Sequence, residues 1–193
     1  TSTIMYGHVE TTEHKAKHLE LIRSIQKHTG GFTEFVPLSF VHKEAPMYNH
    51  NLVNGISPGP TGQDVIKMHA VSRIMLNNFI DNIQVSWVKE GAKMSQLLLD
   101  AGVNDFGGTL INESISTSAG SEFGQLMKPK EIRSLITSAG RVPAQRNSVY
   151  GIIKVFDENN KEKESLLDEA EASKFGSYHE LIRLDKFRYK HKK

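Results

Sequence analysis

The stretch Thr3-Ile-Met-Tyr-Gly-His-Val-Glu10 decides the fold of this chain, because an apolar run stops there at a glycine and a helical pattern follows at once. The alternation of apolar and β-branched residues predicts a strand over Thr3 to Val9. Thr11 or Thr12 is a suitable N-cap for the helix that follows. Apolar residues then recur at helical spacing at Leu19, Ile22 and Ile25, and the helix is expected to stop at Gly30-Gly31.

The same alternation of strand and helix occurs three more times. Further strands are predicted over Thr33 to Val41, Ile83 to Val88 and Asp105 to Ile111. Helices are predicted over Asp64 to Asn77, over Lys93 to Ala101, and between Pro129 and Gly140. A strand-like run, Val149 to Phe156, comes last. Alternation of this kind predicts an α/β fold with parallel strands and right-handed crossovers.

Two architectures fit four β/α units equally well by spacing. One is half of a (β/α) barrel, since a full barrel has eight units and about 250 residues. The other is a small doubly wound sheet of four parallel strands. We assign residues 1–156 to the β/α region and residues 157–193 to a charged C-terminal extension, solvated or partly disordered. The chain opens inside a predicted strand without a methionine, so we interpret it as part of a longer protein.

Composition excludes several kinds of site. The 193 residues contain no cysteine, so the chain offers no disulfide, no zinc-thiolate site and no thiolate ligand for an iron–sulfur cluster. The net charge of +2 is too small to predict a nucleic-acid partner. No apolar run reaches the roughly 18 residues of a membrane span, and a cytoplasmic location is the default expectation. His14 and His18 have a metal-compatible spacing, but their charged helix face favours surface positions, and no metal site is predicted.

Polar residues and glycines cluster where the predicted strands end, which is the edge where parallel β/α folds bind ligands. The largest group follows the fourth strand: Asn104, Asp105, Gly107, Gly108, Thr109, Asn112 and Glu113. Further candidates are His8, His42, Ser86 and Trp87, the last able either to stack on a planar ligand or to fill the core. Glu34 requires a partner within its apolar strand. Arg141 and Arg146 supply guanidinium groups that suit a substrate carboxylate.

Several strings resemble the radical S-adenosylmethionine (SAM) family. Thr3 to Glu10 resembles that family's GxIxGxxE stretch, with Thr3 in place of the first glycine and Met5 in place of the isoleucine. The strings Thr29 to His42 and Glu44 to Tyr48 resemble the deazaflavin and futalosine branch. Four more strings narrow the match to the second component of FO synthase: Gly59 to Gly62, Asn82 to Lys89, Asn104 to Thr109 and Val142 to Arg146.

The resemblance implies four C-terminal β/α units of a radical SAM barrel and a transferase of deazaflavin biosynthesis. Its members use SAM and a [4Fe–4S] cluster to couple the side chain of L-tyrosine to 5-amino-6-(D-ribitylamino)uracil. The cluster ligands would lie on a missing N-terminal half-barrel or a partner subunit. The implied SAM-binding residues are Thr3, Met5, Gly7, Glu10, Val36 and Leu38. The implied substrate-binding residues are His8, Glu34, Ser86, Trp87, Asn104, Asp105, Gly107, Gly108, Thr109, Glu113 and Arg146.

Two alternatives stay open. One is a sibling radical SAM enzyme of the futalosine route to menaquinone, against which the Glu34 strand and the Glu44 to Tyr48 loop argue. The other is a half-barrel that folds or docks but does not catalyse a reaction alone, which the absence of cysteine favours. In both cases nucleic acid and membrane are not expected as partners.

Overall fold

The computed structural model describes residues 1–123, 126–157, 165–171, 174 and 178–187. Three parallel strands, β1 (Ser2–Tyr6), β2 (Glu34–Ser39) and β3 (Asn82–Ile83), form a sheet in chain order. A single parallel bridge between Gln84 and Asp105 extends this sheet by one position. The prediction of a mixed α/β fold with a parallel sheet is therefore confirmed. These described residues form an open sheet and do not close into a barrel.

Seven helices and a separate hairpin complete the described part of the chain. The helices are α1 (Thr12–Thr29), α2 (Pro46–Asn49), α3 (Gly62–Leu76), α4 (Trp87–Leu98), α5 (Ser114–Ser118), α6 (Pro129–Ser138) and α7 (Tyr178–Leu181), with 3-10 turns at Leu99–Ala101 and Asp185–Phe187. The hairpin consists of the antiparallel strands β4 (Ala144–Arg146) and β5 (Ile152–Val155). None of the described helices combines the length and hydrophobicity that a membrane crossing requires.

Helix α1 shows how local sequence sets an element. Thr11 is the N-cap: its hydroxyl accepts from the His14 N–H at 3.2 Å, while the His14 ring accepts from the Thr11 N–H. Gly30 ends the helix with φ 58°, a left-handed conformation that glycine adopts without steric cost. Leu19 and Ile22 are buried as predicted, whereas Ile25 is 38% exposed.

The helices cover one face of the sheet. In β1, Ser2, Ile4 and Tyr6 are buried, while Thr3 and Met5 point the other way and are exposed. Side chains from the buried side join α1 and α3 in one hydrophobic cluster that includes Ile4, Tyr6, Leu19, Ile22, Phe35, Val65, Met68, Leu76 and Ile83. Within the described residues the opposite face of β1, which carries Thr3 and Met5, is exposed.

The third and fourth strands are much shorter than predicted. The strand expected over Ile83 to Val88 ends at Ile83, because the backbone turns at Ser86 and helix α4 begins at Trp87. The strand expected over Asp105 to Ile111 is reduced to the bridge at Asp105. Positive φ angles at Gly107 (81°), Leu110 (42°) and Asn112 (54°) interrupt the extended backbone there.

Pro37 lies inside β2 without disrupting the sheet. In a parallel sheet, every second residue of a strand directs its N–H and C=O groups to the same neighbouring strand. Phe35 accepts from the Gln84 N–H at 3.0 Å, so Pro37 also faces β3. Because β3 ends at Ile83, no neighbouring strand requires the N–H that proline lacks.

The C-terminal extension lies partly outside the described residues, but one of its side chains is firmly anchored. Asp168 is 2% exposed and accepts hydrogen bonds from the Lys130 N–H at 2.7 Å and the Ser165 N–H at 3.0 Å. It also pairs with Arg133 Nη2 at 2.9 Å. At Asp168, the expectation of a solvated segment is wrong, because the carboxylate caps the first turn of α6.

Candidate functional site

The sheet face opposite the helices carries four of the predicted SAM-binding residues, and it is exposed at β1. The register pairs Thr3 with Val36 and Met5 with Leu38, so these side chains share one face on two neighbouring strands. Met5 is 50% exposed, whereas Val36 is buried. The result is a mainly apolar strip beside the carboxyl ends of β1 and β2. An apolar strip of this kind suits contact with a planar, uncharged ring.

The turn after β1 is organised by Glu10. Its carboxylate accepts from the Gly7 N–H at 2.7 Å and the His8 N–H at 3.0 Å. His8 Nδ1 lies 2.6 Å and Lys15 Nζ lies 3.2 Å from the same carboxylate. Burial raises the pKa of Glu10, but the Gly7 and His8 hydrogen bonds outweigh burial and lower this pKa to about 2. Glu10 therefore holds the turn and has little capacity left for a ligand.

Gly7 is required where it stands. Its φ is 89°, and a Cβ built on it would lie 2.3 Å from Pro60 Cδ. No other residue fits this close approach of the loop to the end of β1. The loop that carries Pro60 thus closes over the strand mouth.

Asp105 is the centre of a polar cluster on the same sheet. Arg146 donates to it from Nη2 at 2.7 Å and from Nε at 3.1 Å, and the Tyr150 hydroxyl donates at 2.6 Å. Gln84 Nε2 and the Gly107 N–H donate at 2.9 and 3.0 Å. Burial raises the pKa of Asp105, but the bonds from Arg146 and its neighbours outweigh burial and lower it.

The predicted role of Arg146 as a free fork for a substrate carboxylate does not match its contacts. Two of its nitrogens bind Asp105, and Nη1 donates to the Asn147 carbonyl at 2.9 Å. The guanidinium also stacks 4.0 Å from the Tyr150 ring centroid. Arg141 lies elsewhere and pairs with Asp100 on the surface. Substrate contact by Arg146 stays a prediction, and the structure shows it holding the β4–β5 hairpin against Asp105.

Glu34 finds partners at the start of β2. The hydroxyls of Thr1 and Thr33 both donate to its carboxylate, and the N-terminal ammonium lies 3.7 Å away. Burial raises the pKa of Glu34, but the Thr1 and Thr33 hydroxyls outweigh burial and lower it, with a smaller contribution from Arg146. Glu34 thus shares an electrostatic environment with the Asp105 cluster.

The remaining predicted substrate residues lie near α4 and the loop after Asp105. Trp87 is 2% exposed, donates from Nε1 to the Gly108 carbonyl at 2.8 Å, and packs with Val88 and Met127. These contacts match the core interpretation of Trp87, which also borders a cavity of about 710 Å³. Ser86 is the N-cap residue of α4, and the Glu113 carboxylate caps α5 by accepting from the Ile115 and Ser116 N–H groups.

Asn104 and Thr109 hold loops in place. Asn104 Oδ1 accepts from Arg73 Nη2 at 2.9 Å and from the Ile83 N–H at 2.8 Å. The Thr109 carbonyl accepts from the Met127 N–H at 3.3 Å. These contacts stabilise the approach of α3 and the Met127 segment to the strand ends, and direct substrate contact by either residue stays a prediction.

Sequence reasoning missed a second polar group, at the carboxyl end of β2. Ser39 donates to the carboxylate of Glu90 and lies 3.1 Å from the Tyr6 hydroxyl. Lys89 and Glu90 border a cavity of about 200 Å³ with Ser39. The adjacent opposite charges in Lys89-Glu90, directly after the predicted strand Ile83 to Val88 and before Gly91, were the only signal in the sequence.

The histidines and carboxylates of the described residues do not gather into a metal site. His14 belongs to the α1 cap, and His18 Nε2 lies 2.8 Å from the Thr3 carbonyl. The chain also contains no cysteine. Its own residues therefore do not fit an iron–sulfur cluster, whose irons are held by thiolates.

Comparison with known proteins gives a consistent family. Residues 29–159 match the family model described as the CofH/MqnC C-terminal region. A 5-amino-6-(D-ribitylamino)uracil–L-tyrosine 4-hydroxyphenyl transferase of Methanocaldococcus jannaschii is 51% identical over 154 residues, which cover 80% of this chain and 42% of the relative. The transferase of Methanothermobacter thermautotrophicus is 49% identical over 150 residues, covering 78% of this chain and 40% of the relative.

The chain thus spans about two fifths of the length of these relatives. A transferase of the same name from Methanococcus maripaludis strain C7 is 49% identical over 154 residues, with coverage of 80% and 42%. The family match extends from the end of α1 to just beyond β5 and so includes β2, the Asp105 cluster and the hairpin. This chain belongs to the CofH/MqnC C-terminal region family.

Proposed function

We propose that this chain forms the C-terminal part of a radical SAM transferase of deazaflavin biosynthesis. The proposed reaction couples the side chain of L-tyrosine to 5-amino-6-(D-ribitylamino)uracil. One observation carries this proposal: relatives named for that reaction are 44–51% identical over about four fifths of the chain. The sheet face opposite the helices supports it, because the register places Thr3 beside Val36 and Met5 beside Leu38 there.

SAM would be held at the carboxyl ends of β1 and β2. The apolar strip formed by Thr3, Met5, Val36 and Leu38 suits the adenine ring, and Gly7 allows close approach of backbone. When bound beside a [4Fe–4S] cluster, SAM supplies the radical chemistry of such enzymes. The cluster ligands would come from an N-terminal half-barrel or a partner subunit, since this chain has no thiolate.

The role proposed for this chain is binding, orientation and exclusion of water. Glu10 holds the turn that presents Gly7, and the Asp105–Arg146 pair fixes Tyr150 and Gln84 against the sheet. Fixed polar groups at a strand edge orient a substrate without reorganisation during the reaction. We keep the predicted substrate set as a proposal, with Arg146 acting through Asp105. A cytoplasmic location is part of the same proposal.

The test is to produce this chain together with the N-terminal part of the Methanocaldococcus relative that this chain does not match. The assembly is supplied with SAM, a reductant, tyrosine and the ribitylaminouracil, and the coupled product is measured by mass spectrometry. Product formation is expected. An assembly that accepts only futalosine-route substrates would contradict the branch. If the two parts associate but form no product, while the two parts of the relative itself do form product, the result would favour a non-catalytic half-barrel.

A further inference from the structure

A cavity of about 200 Å³ lies beside the carboxyl end of β2, where its lining residue Pro60 packs against Gly7, although none of the predicted SAM or substrate residues lines it. Its walls come from three segments: the residues after β2, the loop at Pro58 to Pro60, and the stretch Gly120 to Phe123. The first turn of α4 closes it with Lys89 and Glu90. The cavity therefore opens at the ligand-binding edge of the sheet and presents one positive and one negative group.

Lys89 carries a charge that no residue in the described part of the chain pairs with. No described residue forms an ion pair or a side-chain hydrogen bond with its ammonium group. Burial lowers the pKa of Lys89, although the carboxylates of Glu113 and Glu90 act in the opposite direction. A half-buried ammonium without a partner is unfavourable, and an anionic ligand would relieve that cost.

Glu90 presents the complementary charge. The Ser39 hydroxyl donates to Oε1 of its carboxylate, which fixes the side chain against β2. Burial raises the pKa of Glu90, while Ser39 and Lys89 act to lower it. Elsewhere on the wall, Lys43 and Glu122 already pair with each other. Lys89 and Glu90 are thus the two charges on the wall that remain available to a ligand.

We propose that this cavity binds the head group of an α-amino acid, with Lys89 on the carboxylate and Glu90 on the α-ammonium group. One cation and one anion on neighbouring residues match a zwitterion, whereas a phosphate would be repelled by Glu90 and a divalent cation by Lys89. This inference rests on the proposed function, in which both L-tyrosine and SAM carry that head group. It extends the predicted site by two residues.

The test is calorimetric titration of the 193-residue chain with pairs of probes. L-tyrosine is compared with tyramine, which lacks the carboxylate, and with 3-(4-hydroxyphenyl)propanoate, which lacks the ammonium group. SAM is compared with decarboxylated SAM. We expect one of the two amino acids to bind and its truncated analogues to bind at least about tenfold more weakly, as for loss of a charge-assisted contact. Which amino acid binds identifies the source of the head group.

Variants assign the effect to the two residues. Lys89→Met keeps the alkyl stem, and Glu90→Gln keeps an acceptor for Ser39. Each is expected to weaken binding about tenfold. Lys93→Met, at an exposed position of α4 beyond the non-helical Gly91, is expected to bind like the unchanged chain. Thermal unfolding shows whether each variant is folded.

Three results would overturn the proposal. They are no binding of either amino acid, equal binding of the truncated analogues, and unchanged binding in both Lys89→Met and Glu90→Gln. Failure of the proposed function would instead appear as missing coupled product in the assembled halves. Because the titration measures binding without catalysis, the two failures are distinguishable.

Discussion

Asp105 and Arg146 form a two-point ion pair, with Nη2 2.7 Å from Oδ2 and Nε 3.1 Å from Oδ1. The pair joins the end of the parallel sheet to the β4–β5 hairpin, 41 positions further along the chain. The Tyr150 hydroxyl donates a hydrogen bond to Asp105, and the Tyr150 ring stacks against the Arg146 guanidinium. A contact of this kind holds a separate small sheet at the candidate site.

Breaking this pair should release the hairpin. Arg146→Gln is expected to lower the free energy of unfolding by about 2 kcal/mol, because the Asp105 carboxylate loses a charged partner in a largely buried place. The matched control is Arg141→Gln, whose pair with Asp100 is exposed and should contribute less than about 1 kcal/mol. Urea unfolding of both variants measures the difference. Equal losses would show that the hairpin is held by other contacts.

Gly7 should tolerate no side chain. Gly7→Ala combines a positive φ with a Cβ 2.3 Å from Pro60, so we expect a loss of about 2 kcal/mol or more. Gly30→Ala provides the control, since its φ is also positive but no atom lies within 4 Å of the added Cβ. That change should cost about 1 kcal/mol from backbone conformation alone. Thermal unfolding of the two variants compares them, and a smaller loss at Gly7 would contradict the close packing of the Pro60 loop.

Glu10 should make the free energy of unfolding depend on pH in the acidic range. Its pKa is about 2 in the folded chain against an ordinary 4.5, so its contribution is present above pH 4.5 and is lost as pH falls towards 2. The shift corresponds to about 3 kcal/mol at neutral pH. The difference in unfolding free energy between the unchanged chain and Glu10→Gln should therefore shrink as the pH falls from about 5 to about 2. A difference that stays constant across that interval would refute the assignment.

Asp168 should anchor the C-terminal extension. Asp168→Asn removes the charge that faces Arg133 and the first turn of α6, and we expect a loss of about 1.5–3 kcal/mol. Hydrogen exchange at the Lys130 amide should speed up as well. Asp185→Asn, at an exposed position of the same extension, is the control and should change neither measurement.

The sequence predicted the order of the units better than their lengths. Periodicity and caps located α1, α3 and the parallel sheet, because Thr11 and Gly30 act through local hydrogen bonds and φ preferences. The third and fourth strands were overestimated. Val85 and Trp87 are apolar for packing against helices, and apolar residues alone do not distinguish a strand from a buried helix start.

The sequence selected candidate site residues one by one, but it could not show how they pair with each other. Asp105 and Arg146 were both selected, yet the sequence could not show that they bind each other across 41 positions. Tyr150 and Gln84 were missed because each matters only through its contact with Asp105. Lys89 and Glu90 were missed because the cavity they border is formed by segments far apart in the chain.

The two faces of β1 should respond differently to substitution. Ile4 is 5% exposed in the core, so Ile4→Ala should lower the free energy of unfolding by about 2–4 kcal/mol. Met5 is 50% exposed on the uncovered face, so Met5→Ala should change it by less than about 1 kcal/mol. Urea unfolding of the 193-residue chain compares the two.

In the assembled transferase, the exposed Met5 provides a test of the proposed SAM site. Met5→Asp introduces a negative charge into the strip proposed to hold adenine. The other residues of the strip, Thr3, Val36 and Leu38, carry no positive charge that could pair with it. SAM binding should weaken about tenfold or more, while the isolated chain unfolds as before. SAM affinity that is unchanged in Met5→Asp would remove the uncovered face of β1 from the cofactor site. Loss of folding in the isolated chain would instead show that this face is already covered by its own residues.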